Sequence, residues 1–246
     1  MGQQEGRARQ TVRGFNHAEV KALEFKQVVL RDVRENPVIM ALLNRGSKNL
    51  KAMGYTEHGL RHAKLVSDIA ENVMKRLGFT QRDAELAAIA GYIHDIGNSV
   101  NREHHGLLSA TLSAPALINM GMDPDEVAII VSAVGNHEEE IGHAVNNIAA
   151  AIILADKTDV HRTRVQVKPQ DPEFDIHDRV CYSVTNSFLD VDGANKRITL
   201  NLIIDTEVTS VMEYFELFMT RMTISRKAAA FLGCEFMIVV NGTRFL

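Results

Sequence analysis

Cysteine is scarce in this chain of 246 residues: Cys181 and Cys234 are the two, 53 positions apart. That spacing excludes a CxxC motif and offers no disulfide framework, so a reducing, cytoplasmic setting is the expectation. Long apolar runs are missing as well. No stretch reaches the length of a membrane span, and the opening Met1-Gly2-Gln3-Gln4-Glu5-Gly6-Arg7 lacks the apolar centre of a signal peptide. Neither a membrane partner nor export is therefore expected. There is no surplus of basic charge: 27 Lys and Arg stand against 31 Asp and Glu, for a net charge of −4, which disfavours nucleic acid as a partner. Internal repeats and low-complexity segments are absent too. What is present is a 46% share of hydrophobic residues, enough for a globular fold with a sizeable core.

The chain is organised around Leu86 to Asn98. Leu86, Ile89, Ala90, Ile93 and Gly97 recur at the period of a helix with one buried face, and Gly97 offers a C-terminal stop. His94 and Asp95 then fall in the last turn of a core helix. Helices are also expected from Val20 to Leu30 and from Pro37 to Met53, with Pro37 in a first turn. A further helix opens at Thr56 or Glu57 and ends at Gly78, and Thr80 with Asp83 starts the next one. Leu107 to Met120 is helical, with Pro115 expected to kink or split it. Asp123-Pro124-Asp125-Glu126 reads as a helix start, with Asp123 as cap, Glu126 reaching back and Met122 stapled to Val127. The last helix of this block runs from Val145 to about Val160.

The periodicity changes around Lys168 to Pro172. Val180 to Leu189 and Arg197 to Ile204 are rich in β-branched residues and flank the turn-type segment Asp192 to Lys196, so they read as a hairpin. Ser210 to Leu232 is helical, Phe236 to Val240 is a strand, and Asn241-Gly242 turns a final strand back over it. The expected organisation is a flexible tail over residues 1–17, a helical domain over 18–168, and a small antiparallel ββαβ domain over 169–246. The fold class is mainly α with a small C-terminal α+β layer. Val180, Val184, Leu200 and Leu202 would face Phe215, Phe218 and Met222 of the covering helix.

Several apolar stripes end in ligand-type side chains. His62 is in line with Val66, Ile69, Val73 and Leu77; His137 follows Val127, Ile130, Val131 and Val134; and Asp156 shares a side with Ile148, Ile152 and Ala155. A lone His-Asp pair such as His94-Asp95 also reads as a core histidine beside a solvated aspartate. Four separate helices bringing such groups to their buried stripes, with His105 at a loop-to-helix junction, instead suit a metal site inside a bundle. A buried carboxylate at 156 likewise requires a cation or several donors.

The order His62, His94-Asp95, Asp156, with His-Asp-Ile-Gly on an alanine-rich helix, resembles the HD-domain superfamily of metal-dependent phosphohydrolases over about residues 56 to 165. The resemblance implies a helical bundle in which His62, His94, Asp95 and Asp156 bind a divalent ion. In members with two metals further histidines lie between doublet and final aspartate; His105 and His137 match them in order, although His104 could replace its neighbour. Asp95, with His105 and His137, would then be the catalytic set, Asp95 bridging two ions. The subclass that cleaves cyclic dinucleotides carries a lysine after the motif glycine and a downstream Gly-Tyr-Pro. This chain has Asn98 and, after His137, Glu138-Glu139-Glu140-Ile141-Gly142, so that subclass is not indicated.

The implied reaction is hydrolysis of a phosphomonoester or phosphodiester on a small, nucleotide-type substrate. The mixed imidazole and carboxylate set suits one or two ions of manganese, iron, nickel, cobalt or zinc. Lys157, His161, Arg162 and Arg164 are candidate phosphate contacts or a solvated helix end. His58 is either a neighbour of the site or an exposed first-turn residue, and Glu138 and Glu139 are candidate proton carriers that, as part of an acidic run, read rather as surface. The alternative function is a regulatory module that senses a nucleotide or metal without turnover. A homodimer through the C-terminal domain is a further expectation.

Overall fold

The computed structural model describes residues 25–167, 169–171 and 174–245; the tail expected over residues 1–17 lies outside them. Seven helices build the bundle: α1 (Leu30–Glu35), α2 (Pro37–Ala52), α3 (Leu60–Arg76), α4 (Gln81–Ile93), α5 (His105–Asn119), α6 (Pro124–Gly135) and α7 (Asn147–Thr158). They are followed by α8 (Ile176–Ser183), β1 (Val184–Asp192), β2 (Arg197–Ile204), α9 (Val211–Phe231), β3 (Glu235–Val240) and β4 (Thr243–Arg244).

Helix starts follow local chemistry. Asn36 accepts the N–H groups of Val38 and Ile39 before Pro37 opens α2, Thr80 and Asp83 form the capping box of α4, and Asp123 caps α6. Three boundaries differ from the sequence expectation. The helix expected from Val20 to Leu30 lies outside the described residues up to Glu24, and its described part, Phe25 to Val29, is not helical: Lys26 is tied by its N–H to the Gly121 carbonyl, the Val29 and Leu30 N–H groups are taken by Asp32 and Glu85, and α1 starts at Leu30. The helix expected from Thr56 or Glu57 begins at Leu60, since Glu57 spends its carboxylate on the Gly59 N–H and its own N–H on the Arg164 carbonyl. Glu126 does not reach back to its cap; it holds the Arg82 guanidinium at 2.7 Å.

Pro115 neither kinks nor splits α5. Pro115 and Thr111 are both exposed, so water can meet the carbonyl that loses its N–H partner. The central helix differs more. Ala84 and every residue from Leu86 to Ile93 are buried, so α4 from Leu86 onward is enclosed on all sides rather than along one face. Its small side chains permit this: a Cβ at Gly91 would lie 3.0 Å from the Val66 carbonyl oxygen of α3. Gly97 is not a cap. It lies in the 3-10 turn Ile96–Ser99 beyond α4, and a Cβ there would be 2.1 Å from the His105 carbonyl oxygen.

The C-terminal sheet has the order β1-β2-β3-β4 and is mixed, not antiparallel throughout. β1 and β2 form the expected hairpin, with Leu189 opposite Leu200, but β2 and β3 run parallel, with Leu200 opposite Ile238. The 21-residue α9 between them returns the chain to the end where β2 began, which is what a parallel partner requires. Asn241 and Gly242, with φ of 50° and 80°, turn β4 back over β3. Val180 to Ser183, expected as strand, is the end of α8, capped by the Asp175 side chain. Val180, Val184, Leu200 and Leu202 are buried, as are Tyr214, Phe218 and Met222 of α9, whereas Phe215 is half-buried. One continuous core joins this layer to the bundle across residues 168–172. α9 packs on α7 as well as on β3 and so comes to border the site.

Candidate metal centre

The end of α4 sets the site. His94 is its C-cap and Asp95 follows in the loosened backbone before the 3-10 turn, so the two side chains escape the roughly 100° divergence of helical neighbours. His62 comes from the first turn of α3, His105 from the first residue of α5, His137 from just beyond α6, and Asp156 from the last turn of α7. All six are buried, between 0% and 8% exposed.

Their atoms form two linked sets. His62 Nε2 lies 3.2 Å from His94 Nε2 and 3.3 Å from Asp156 Oδ1, and Asp95 Oδ2 is 3.6 and 3.5 Å from the two histidine nitrogens. On the other side, His105 Nε2 lies 3.2 Å from His137 Nε2, and Asp95 Oδ1 is 3.3 Å from His105 and 3.9 Å from His137. Donors held about 2.1 Å from one ion sit roughly 3.0 to 3.5 Å from each other. Both sets therefore have the dimensions of a coordination shell, and Asp95 gives one oxygen to each.

The tautomers make the same point. His94 Nδ1 donates to the Gly91 carbonyl at 2.8 Å, His105 to Arg102 at 3.0 Å, His137 to Val134 at 2.7 Å, and His62 Nδ1 meets Asp159 Oδ2 at 2.7 Å. With the proton on Nδ1, each Nε2 presents a lone pair inward. Two pairs of inward lone pairs at 3.2 Å, beside a buried Asp95 Oδ2 that has no hydrogen-bond partner, are an arrangement that a cation would compensate. The residues thus fit one or two divalent ions, and His62, His94 and Asp156, and His94, Asp95 and His137, each close to within a single ion's reach.

Residues 57–161 match the family described as HD domain. This segment resembles an HD domain. An uncharacterized protein of Methanocaldococcus jannaschii is 28% identical over 177 residues, covering 63% of this chain and 67% of the relative. HD domains are typically metal-dependent hydrolases, and the buried His/Asp cluster here has the donors such a domain needs.

Electrostatics around the cluster are strongly polarised. Burial opposes the Asp95 and Asp156 carboxylates, yet the imidazoles around Asp95, and Lys157 and His62 beside Asp156, hold both well below the usual carboxylate range. Burial lowers His137 and His94. Burial and Arg164 also push His62 down, but Asp156 and Asp159 outweigh them and raise it, so the pocket between these carboxylates favours a positive charge.

Asp159, which periodicity did not single out, orients the first ligand. It takes the His62 Nδ1 proton and both Arg61 NH groups, at 3.2 and 2.7 Å, while Arg164 binds the Asp159 carbonyl at 2.6 Å. Burial disfavours its charge, but Arg164, His62 and Arg61 hold it far below the ordinary range. A depressed carboxylate stabilises the fold above its unfolded pKa of about 4 and loses that contribution as pH falls. Asp159→Asn is expected to weaken metal binding by about 10- to 100-fold and to lower stability by about 2–4 kcal/mol at neutral pH by removing the carboxylate charge that faces Arg61 and Arg164. Metal titration and urea unfolding at pH 7 and pH 4 check both, the stability difference narrowing at the lower pH.

Of the four candidate phosphate contacts, Lys157 lines the cavity, with Nζ 2.5 Å from Asp156 Oδ2 and 3.5 Å from Glu139 Oε1. The other three are engaged away from it. His161 bonds Thr163 and the Thr185 carbonyl, Arg162 lies over the Tyr182 ring, and Arg164 is buried against Glu57 and Asp159. His105, not the exposed His104, meets His137. His58 is buried beside His62, with ring centroids 5.3 Å apart. Glu138, expected at the surface, is buried and accepts the Gly106 N–H at 2.7 Å; Glu139 is half-buried between Lys157 and Arg221, 2.9 Å from the latter. The spacing of Asp156 and Asp159, one helical turn apart, was the available signal for the second aspartate.

Proposed function

We propose that the protein is a phosphohydrolase dependent on two divalent ions, acting on a phosphomonoester or phosphodiester of a small nucleotide-type substrate. One observation carries this reading: Asp95 divides its two oxygens between a His62–His94–Asp156 set and a His105–His137 set whose Nδ1 protons are all committed outward. Two ions held there would activate water and neutralise phosphoryl charge. Asp95, His105 and His137 form the catalytic set, and His62, His94 and Asp156 complete the ligands. Lys157 fixes the outer oxygen of Asp156, so that Oδ1 stays turned to the histidines, and presents its ammonium to the same cavity. Arg102, with NH1 3.5 Å from His105 Nε2, is a second cation at the rim. Manganese, iron, cobalt, nickel and zinc all suit the donors.

A division near residue 168 into a metal-binding unit and a smaller layer, self-association through that layer and a cytoplasmic location belong to the same reading. Among the described residues no helix is long and apolar enough to cross a membrane. The test is elemental analysis of protein purified without chelator, followed by a panel of phosphomonoesters and phosphodiesters. The expected result is about one to two equivalents of transition metal per chain and turnover that chelation abolishes and metal restores. Bound nucleotide without phosphate release from any ester would favour the sensing module instead.

A further inference from the structure

A cavity of about 930 Å³ takes in Asp95, Asp156 and Lys157 and extends to α9 of the C-terminal layer, where Phe218, Thr220 and Arg221 line it. That is far more room than one phosphoryl group fills, and near the upper end of what small ligands occupy. Arg221 stands on this wall outside the metal centre. Its Nε meets Glu139 Oε1 at 2.9 Å, and its guanidinium carbon lies 4.7 Å from the centre of the Phe218 ring. NH1 and NH2, which carry most of its N–H donors, give no hydrogen bond to any described residue, yet neither is sealed from solvent. The guanidinium is thus fixed by one carboxylate and one ring while its outer edge stays open to the cavity.

An arginine held in this way is a preorganised fork for an oxyanion, because little side-chain freedom is left to lose on binding. The charge balance agrees. Asp156 belongs to the ion-binding set through Oδ1, so Lys157 and Arg221 stand together against Glu139, whose Oε1 is 3.5 Å from Lys157 Nζ. Arg221 also lies outward of the reacting group. Lys157 Nζ, 2.5 Å from Asp156 Oδ2, and then Glu139 come between it and the ligands of the ions. The group that Arg221 meets therefore lies beyond the one on the ions.

We infer that Arg221 is a specificity residue that binds a second anionic group of the substrate, a phosphoryl or carboxylate group separate from the one hydrolysed. The substrate class is then a phosphoester with two anionic ends, and the C-terminal layer supplies the recognition of the second. This rests on the phosphohydrolase reading for which end lies on the ions. Glu139 takes one N–H edge of the same guanidinium, so it competes with the second group for Arg221.

The test compares the metal-loaded full-length chain with Arg221→Gln, Arg221→Lys and Glu139→Gln. The reference ligand is adenosine 5′-monophosphate. Adenosine 5′-diphosphate and adenosine 3′,5′-bisphosphate add a second phosphoryl group, and adenylosuccinate adds carboxylates on the base. Affinity is read by calorimetry or, where a ligand is turned over, as KM against kcat. The quantity followed is the preference for each two-ended ligand over the reference, which cancels any general loss of fold or metal. It is expected to shrink by about 10- to 100-fold in Arg221→Gln, and by less in Arg221→Lys, which keeps the charge without the fork. In Glu139→Gln it should instead grow by about two- to fivefold, as the competing carboxylate charge is removed. Loss confined to adenylosuccinate assigns a carboxylate; loss confined to the phosphorylated ligands assigns a phosphoryl group. An unchanged preference in Arg221→Gln, a preference that falls in Glu139→Gln, or a panel in which no two-ended ligand outbinds the reference overturns the inference and leaves Arg221 as the counter-ion of Glu139 alone. Arg221-dependent binding without phosphate release from any ligand would instead count against the phosphohydrolase reading and leave the recognition role standing.

Discussion

Asp95→Ala is expected to strip the protein of bound divalent metal and to lower turnover of any phosphoester substrate by at least about a thousandfold, well beyond the 10- to 100-fold typical of a group that only supports a ligand. Both halves of the centre lose their shared oxygen donor at once, since Oδ2 faces His62 and His94 while Oδ1 faces His105 and His137. The metal-free variant should keep its helix content and unfold at a denaturant concentration no lower than the metal-free wild type. Asp95 Oδ2 has no hydrogen-bond partner, so the fold does not depend on it. Circular dichroism, metal analysis and kinetics on one preparation decide the matter. A variant that unfolds would make the centre structural, and one that retains two equivalents of metal would remove Asp95 from the bridge.

Gly97→Ala is expected to be the most damaging methyl addition near the site. Its Cβ would stand 2.1 Å from the His105 carbonyl oxygen and 2.6 Å from the Ser109 N–H nitrogen, and both are backbone atoms that cannot rotate away. The 3-10 turn after Asp95 and the start of α5 must then separate, pulling His105 from its 3.3 Å approach to Asp95 Oδ1. The Gly97 N–H bond to Ser109 Oγ at 2.7 Å would be strained as well. A loss of about 2–4 kcal/mol in stability is expected, together with a fall in metal content from two equivalents to one, because the His62–His94–Asp156 set does not involve α5. Thermal unfolding with manganese analysis checks both. Retention of two equivalents with an unchanged melting temperature would mean that the backbone yields here at no cost.

How much of this was legible depended on whether a feature is local. The stripes of α3 and α6 pointed His62 and His137 inward, because periodicity reports which face of a helix is buried. Thr80 and Asp123 marked helix starts through bonds made within three residues. Long-range effects were not legible. The direction of β3 relative to β2 depends on where α9 delivers the chain, and β propensity is the same for either pairing. Glu138 and Glu139 belong to an acidic run that composition assigns to solvent, but Gly106, Lys157 and Arg221 come to them from distant elements. Asp159 was hidden for the same reason, its partners Arg61 and His62 lying 98 and 97 positions away. Arg164 reads as a surface cation until its bond to the Asp159 carbonyl is seen.

The enclosure of α4 from Leu86 to Ile93 also bears on how an ion would enter and leave. Backbone amides in a helix buried on every side exchange with solvent only through the largest, near-global openings of a protein, whereas rim loops open far more cheaply. Asp95 follows directly on that helix, so fraying cannot carry the shared ligand away from its partners while the remainder of the molecule stays folded. An ion held at this centre would therefore exchange through the cavity that Arg102 and Lys157 line rather than by local melting of the spine.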